Sequence, residues 1–186
     1  MTAARDRALT ETKILDAAEN IMARQGFAAL TVSAIAEAAG VDRKLVYRYF
    51  GGADGVAERL GANAARWLGE ADINEGGRAD AFEDYAAALR ADEALQQMLA
   101  WELVESSPLL RKLDRARSAA MQKRFAWLKP AAKKDHRDRA AENAVALAAL
   151  HYLALRERTL EGFAGLKLDE DGWTRVRAVL RTLLRD

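Results

Sequence analysis

Hydrophobic positions recur along this chain at three- and four-residue steps, the period of amphipathic helices rather than of strands. The first stripe is Ile14, Ala17, Ala18 and Ile21, widened by Met22. It predicts a helix over about 10–25 that Gly26 terminates. A second stripe, Val32, Ile35, Ala36 and Ala39, has Thr31 ahead of it as a cap and Gly40 behind it as a left-handed stop. Asp42 then caps a third short helix, which Val46 and Phe50 anchor in the same core at i and i+4. Phe27 and Leu30 pack the link between the first two. Arg43, Lys44, Tyr47 and Arg48 are left on the outer face of the third helix. Two short helices across a glycine-containing turn form the helix-turn-helix arrangement, whose second helix lies in the major groove of DNA.

The periodicity continues after a break at Gly51-Gly52. A fourth helix, with Asp54 as its expected cap, runs through Val56, Leu60, Ala64, Trp67 and Leu68, and Gly76-Gly77 interrupts it. The fifth uses Phe82, Tyr85, Ala86 and Leu89, and the sixth Leu95, Met98, Leu99, Glu102 and Leu103. Ser107-Pro108 opens a seventh, with serine as cap and proline at the first helical position, expected to run to about 128. The eighth, about 138–160, is apolar on nearly every side from Ala144 to Leu150, which in a chain this small implies burial against a second subunit. Gly162 and Gly165 are expected to end it. Asp169, Glu170 and Asp171 place acid at the start of a ninth helix with the stripe Trp173, Val176, Leu180, Leu183 and Leu184. Arg177, Arg181 and Arg185 line another of its faces as a solvated rim. The expectation is an all-α chain of about nine helices, with a reading unit at 1–52 and a regulatory and dimerisation domain at 53–186.

Composition agrees. Hydrophobic residues make up 51% of the 186, and there are only two prolines. Cysteine is absent, which removes disulfides and thiolate metal sites. The start is charged and lacks an apolar signal core, and no apolar run reaches the ~18 residues of a membrane span. A soluble cytoplasmic protein without membrane contact is expected. Charge adds less: 29 Lys+Arg stand against 28 Asp+Glu, so positive potential toward DNA has to be local. Its two sources are Arg43, Lys44 and Arg48, and an N-terminal arm with Arg5, Arg7 and Lys13. The 133–139 charge run interleaves acid with base and reads as a solvated loop.

Catalytic patterns are missing. The two histidines, His136 and His151, have no metal-pair spacing, and no phosphate-binding glycine loop follows a strand. Ser106-Ser107 fits a cap better than a nucleophile. Glu102 and Glu105 lie three apart beside Trp101, where exposed or pocket-lining roles outweigh general acid–base work. Neither an enzyme nor a cofactor or metal site is expected.

The N-terminal pattern resembles the TetR-type transcriptional repressor family. Ile14-Leu15-Asp16-Ala17-Ala18, Gly26-Phe27, Leu30-Thr31-Val32, Ile35-Ala36, Ala39-Gly40-Val41 and Val46-Tyr47-Arg48-Tyr49-Phe50 stand in the family's order and spacing. The resemblance implies that Thr31 and Tyr47 bind phosphates and that Arg43, Lys44 and Arg48 reach base edges or nearby phosphates. Arginine can pair bidentately with guanine, and a tyrosine hydroxyl can donate to phosphate. The competing reading of Tyr47 is a half-buried aromatic. The chain departs from the family at Leu45, which is either core or a methyl-reading contact, and at Ala53, where many members have a phosphate-binding lysine.

The further expectation is a homodimer formed through helices 8 and 9 on a palindromic operator, acting as a repressor released by a small, largely apolar effector. Tyr85, Met98, Trp101, Glu102, Phe125, His151 and Tyr152 are its candidate contacts. His151 reads equally as a ligand contact or as a satisfied core histidine. The alternative is a DNA-binding or protein-binding adaptor of the same fold with no effector.

Overall fold

The computed structural model describes residues 2–63, 77–124 and 138–184. Among them are nine α-helices: α1 (Thr2–Gln25), α2 (Val32–Ala39), α3 (Arg43–Phe50), α4 (Ala53–Ala62), α5 (Arg78–Ala91), α6 (Glu93–Val104), α7 (Pro108–Arg124), α8 (Arg139–Arg156) and α9 (Glu170–Leu183). A short 3-10 turn, Phe27–Ala29, links α1 to α2, and a two-stranded hairpin of β1 (Gly162–Phe163) and β2 (Leu166–Lys167) precedes α9. The chain divides into two units, Met1–Ala64 with Gln97–Arg124, and Ala65–Gln96 with Phe125–Asp186. The division runs through α6, between Gln96 and Gln97.

In the first unit the predicted stripe of α1 is the core, with Ile14, Ala18 and Met22 fully buried. Phe27, Leu30, Ile35, Val46, Val56 and Leu60 close around it. The caps stand where the sequence places them. Thr31 Oγ1 accepts the Ala34 N–H at 3.1 Å, and Asp42 Oδ1 accepts the Lys44 N–H at 2.7 Å. Gly40 ends α2 in the left-handed conformation. Such a cap is worth ~1 kcal/mol, appreciable for helices of eight residues, which have no stability of their own in water.

Three expectations for this unit change. The expected N-terminal arm is the first turns of α1, because Arg7 pairs with Glu11 one turn on and the alanine-rich start favours helix. Asp54 does not cap α4. It lies in the first turn, where Lys112 Nζ of α7 meets Oδ2 at 2.5 Å, and Gly52 holds the cap position. Leu103, predicted as core, is 76% exposed beside an equally exposed Val104, so the inward face of α6 ends at Leu99 and Glu102. The expected continuation of helix 4 through Ala64, Trp67 and Leu68 lies outside the described residues, as do the 125–137 segment and Arg185.

In the second unit, Phe82, Ala86 and Leu89 of α5 pack with Ala146, Leu150 and Ala154 of α8 and with Trp173 and Leu180 of α9, and Leu184, which caps α9, is buried as well. Arg78 is almost fully buried. It donates to Glu142 at 2.7 Å, to Asn143 and to the Leu184 carbonyl, so its charge is met on three sides. Arg90 binds both carboxylate oxygens of Glu157, reaches Glu170 at 2.6 Å, and lies 4.7 Å from the centroid of the Trp173 ring. Arg181 is exposed, as expected of a solvated rim, and bonds Asp80 and Glu83 there. The eighth helix ends at Arg156, earlier than expected, and Gly162 and Gly165 shape the hairpin instead of terminating it.

Candidate nucleic-acid interface

Three local causes build the outer face of α3. Asp42 satisfies the first free N–H, Val46 anchors the inner side with no exposure, and Gly51 stops the helix in a left-handed turn. What faces outward follows from that anchoring. Arg43, Lys44, Tyr47 and Arg48 are all exposed, and Tyr47 shows 59% of its surface. A half-buried Tyr47 is therefore not what the fold produces. Leu45 is only partly covered.

Two of the exposed cations, Arg43 and Arg48, are tethered. Arg43 Nη1 donates to Ser33 Oγ at 3.2 Å, tying the start of α3 to the start of α2. Arg48 lies over the Tyr49 ring at 5.9 Å from its centroid, and Arg7 of α1 lies over the same ring at 5.2 Å. Tyr49 thus carries two guanidiniums from two helices. Sequence reasoning found Arg48 but not this stack, because Arg7 is separated from it by more than forty residues. Thr31 is exposed at the N-terminus of α2, so every residue proposed for DNA lies on an accessible part of the first unit.

Residues 14–64 match the family model described as bacterial regulatory proteins, tetR family. Those residues form a helix-turn-helix domain of the tetR type. No curated protein matches the sequence. Among solved structures, the chain is similar to the secondary repressor NalD of the MexAB-OprM multidrug efflux pump from Pseudomonas aeruginosa, with a TM-score of 0.63 at 19% identity, covering 98% of this chain and 99% of that one. GusR from Salmonella enterica gives a TM-score of 0.62 at 17% identity, covering 95% and 96%. FadR from Bacillus subtilis, solved with stearoyl-CoA, gives 0.61 at 19% identity, covering 94% and 97%. Identity this low speaks for the fold, while the family model speaks for the helix-turn-helix domain. Residues 14–64 carry the DNA-binding domain of bacterial regulatory proteins of the tetR family, and no described helix is long and apolar enough to cross a membrane.

The candidate effector contacts fall in both units. In the second, Tyr85 Oη of α5 and His151 Nε2 of α8 are 2.5 Å apart, with ring centroids at 5.6 Å, and Tyr152 packs on Phe163 at 4.9 Å. In the first, Met98 is buried, the Trp101 indole donates to the Ala23 carbonyl at 3.1 Å, and both oxygens of Glu102 accept from Arg117, at 2.8 and 2.9 Å. Burial disfavours the Arg117 charge, but the Glu102 and Asp114 carboxylates outweigh it and its pKa rises. Glu102 and Glu105 do not form a carboxylate pair, since Glu105 binds backbone N–H groups of Phe27 and Ala28. Phe125 lies outside the described residues. Among the described residues no group of three or more His, Asp or Glu side chains could hold a metal.

Proposed function

We propose that the chain is a homodimeric repressor that binds a palindromic operator and is released by a small, largely apolar effector. The observation that carries the DNA reading is the set Arg43, Lys44, Tyr47 and Arg48, all exposed on the one helix that Val46 fixes by its opposite face. Tyr47 and Thr31 would donate to phosphate oxygens and set register. Arg43, Lys44 and Arg48 would reach guanine edges or phosphates. In functional terms 1–52 is the reading domain and 53–186 the regulatory and dimerisation domain.

Dimerisation through α8 and α9 is supported by the apolar surface both helices leave uncovered. Val145 is 60% exposed, Tyr152 45% and Val179 66%, and Ala144, Ala148, Ala149 and Ala178 are exposed beside them. Two copies packed on that face would present two recognition helices to successive major grooves ~34–36 Å apart. The related FadR was solved with stearoyl-CoA. An apolar effector here would meet Tyr85, His151 and Tyr152, and to act as an inducer it must bind the non-operator state more tightly.

Selection of bound duplexes from random-sequence DNA, repeated across salt concentrations, tests the reading. A palindromic consensus with 10–11 base pairs between half-site centres, about one helical turn, is expected. Recovery of no consensus, or a monomer in sedimentation at micromolar concentration, would reject the repressor or the dimer respectively.

A further inference from the structure

The end of α6 and the residue that follows it grip the link between α1 and α2 from both sides. At the end of α1 the Ala23 carbonyl has no helical partner beyond it, and the Trp101 indole N–H donates to it at 3.1 Å. After the break, the Phe27 and Ala28 N–H groups open the 3-10 turn, and Glu105 Oε2 accepts both, at 2.9 and 3.1 Å. Trp101 and Glu105 are four residues apart, joined by the Glu105 N–H to Trp101 carbonyl bond at 2.8 Å, so a single helical face presents both groups. Gly26 lies between the two gripped segments. A Cβ there would sit 1.8 Å from Glu105 Oε1 and 3.1 Å from the Trp101 ring, and φ is +80°. The absence of a side chain at Gly26 is what admits the carboxylate.

We propose that Glu105 is a positioning residue for DNA reading, acting through the link it holds and not by touching DNA. The argument rests on the regulator reading above. Thr31, the proposed phosphate donor and the cap of α2, is three residues beyond Ala28, and the segment is anchored by buried Phe27 before it and buried Leu30 within it. A carboxylate accepting two backbone N–H groups fixes where that short segment leaves α1, and so where the N-terminus of α2 stands. Among the described residues no backbone carbonyl takes those two hydrogens.

The sign of the effect separates this role from simple electrostatics. Glu105 is a negative charge in the body that meets phosphates, so field effects alone make its removal strengthen DNA binding. Positioning makes removal weaken it.

The test uses the full chain and the duplex it selects from random DNA, below the melting temperatures of all variants. Glu105→Ala is expected to lose about tenfold in operator affinity with an unchanged salt slope, since no phosphate contact is removed. Glu105→Gln, whose amide oxygen still accepts, is expected to recover most of that loss. Amide exchange at Phe27 and Ala28 is expected to quicken in Glu105→Ala and stay near wild type in Glu105→Gln. Wild-type or tighter operator binding by a folded Glu105→Ala overturns the positioning role alone. A wild-type chain that selects no duplex overturns the regulator reading, and the positioning role with it.

Discussion

Gly61 of α4 lies so close to Leu113 of α7 that a Cβ would stand 2.1 Å from the Leu113 carbonyl oxygen and 3.0 Å from the Ala116 methyl. The obstacle is backbone, which cannot rotate away. Alanine is the better helix former by ~1 kcal/mol, but the overlap forces the two helices apart. Gly61→Ala is expected to lower unfolding free energy by about 1–2 kcal/mol in urea titration, the overpacking cost exceeding the propensity gain. A stabilised variant would mean that α4 and α7 are free to separate.

For DNA contacts, Tyr47→Phe removes one hydroxyl from an exposed side chain and leaves the core anchor at Val46 intact. It is expected to weaken binding several-fold to every duplex alike, with the same consensus. Arg43→Ala is expected to cost ~1–3 kcal/mol on the consensus and to relax preference at one base position per half-site. Equal affinity and an unaltered consensus in both variants would remove α3 as the reading helix.

Arg78 is the largest buried charge among the described residues. Truncating it strips Glu142, Asn143 and the Leu184 carbonyl of a shared donor and leaves a carboxylate facing a vacated site. Arg78→Ala is expected to destabilise by ~3–5 kcal/mol, read by thermal unfolding. A loss near that of an exposed ion pair, below ~1 kcal/mol, would show that water replaces the guanidinium.

The hairpin turn holds a residue out of place. Ala164 has φ of +52° and Gly165 +80°, the double left-handed pattern of a two-residue type I′ loop, which favours Asn-Gly. Ala164→Asn is expected to stabilise by about 0.5–1 kcal/mol, because asparagine tolerates that region better than alanine. Unchanged melting in calorimetry would indicate that the hairpin is already open before the transition.

Acid should act through Glu170. The hydrogen bond from Arg90, then the Arg90 charge, holds its carboxyl below the usual carboxylate range. A pKa lower in the folded than in the unfolded chain gives stability that is present above the unfolded value and lost as pH falls through the folded one. Glu170→Gln is expected to flatten the acid side of the stability profile without altering the plateau near neutrality in shape. An identical acid slope in the variant would assign it to other carboxylates.

The helices were legible because their signals are local. Thr31, Gly40, Asp42 and Ser107 act on backbone groups within three or four residues, and each has the role its position predicts. The outward face of α3 followed from the burial of Val46. Interactions between distant residues were not legible. The Arg7–Tyr49 stack, the Gly26–Glu105 contact and the Arg78 cluster each join residues far apart in the chain, and no periodicity records such pairs. Glu102 shows the same limit from the other side. A carboxylate beside Trp101 suggested a pocket, and only the fold supplies Arg117 as its partner.

Thr31 carries a consequence of its own. Its oxygen gives a lone pair to the Ala34 N–H, which leaves the hydroxyl hydrogen pointing elsewhere. Toward solvent the residue can still donate that hydrogen, which suits a phosphate oxygen. Aspartate in its place would cap α2 as well and would meet a phosphate with like charge. One substitution could thus silence the proposed reading head while leaving it folded, separating foldability from recognition at a single position.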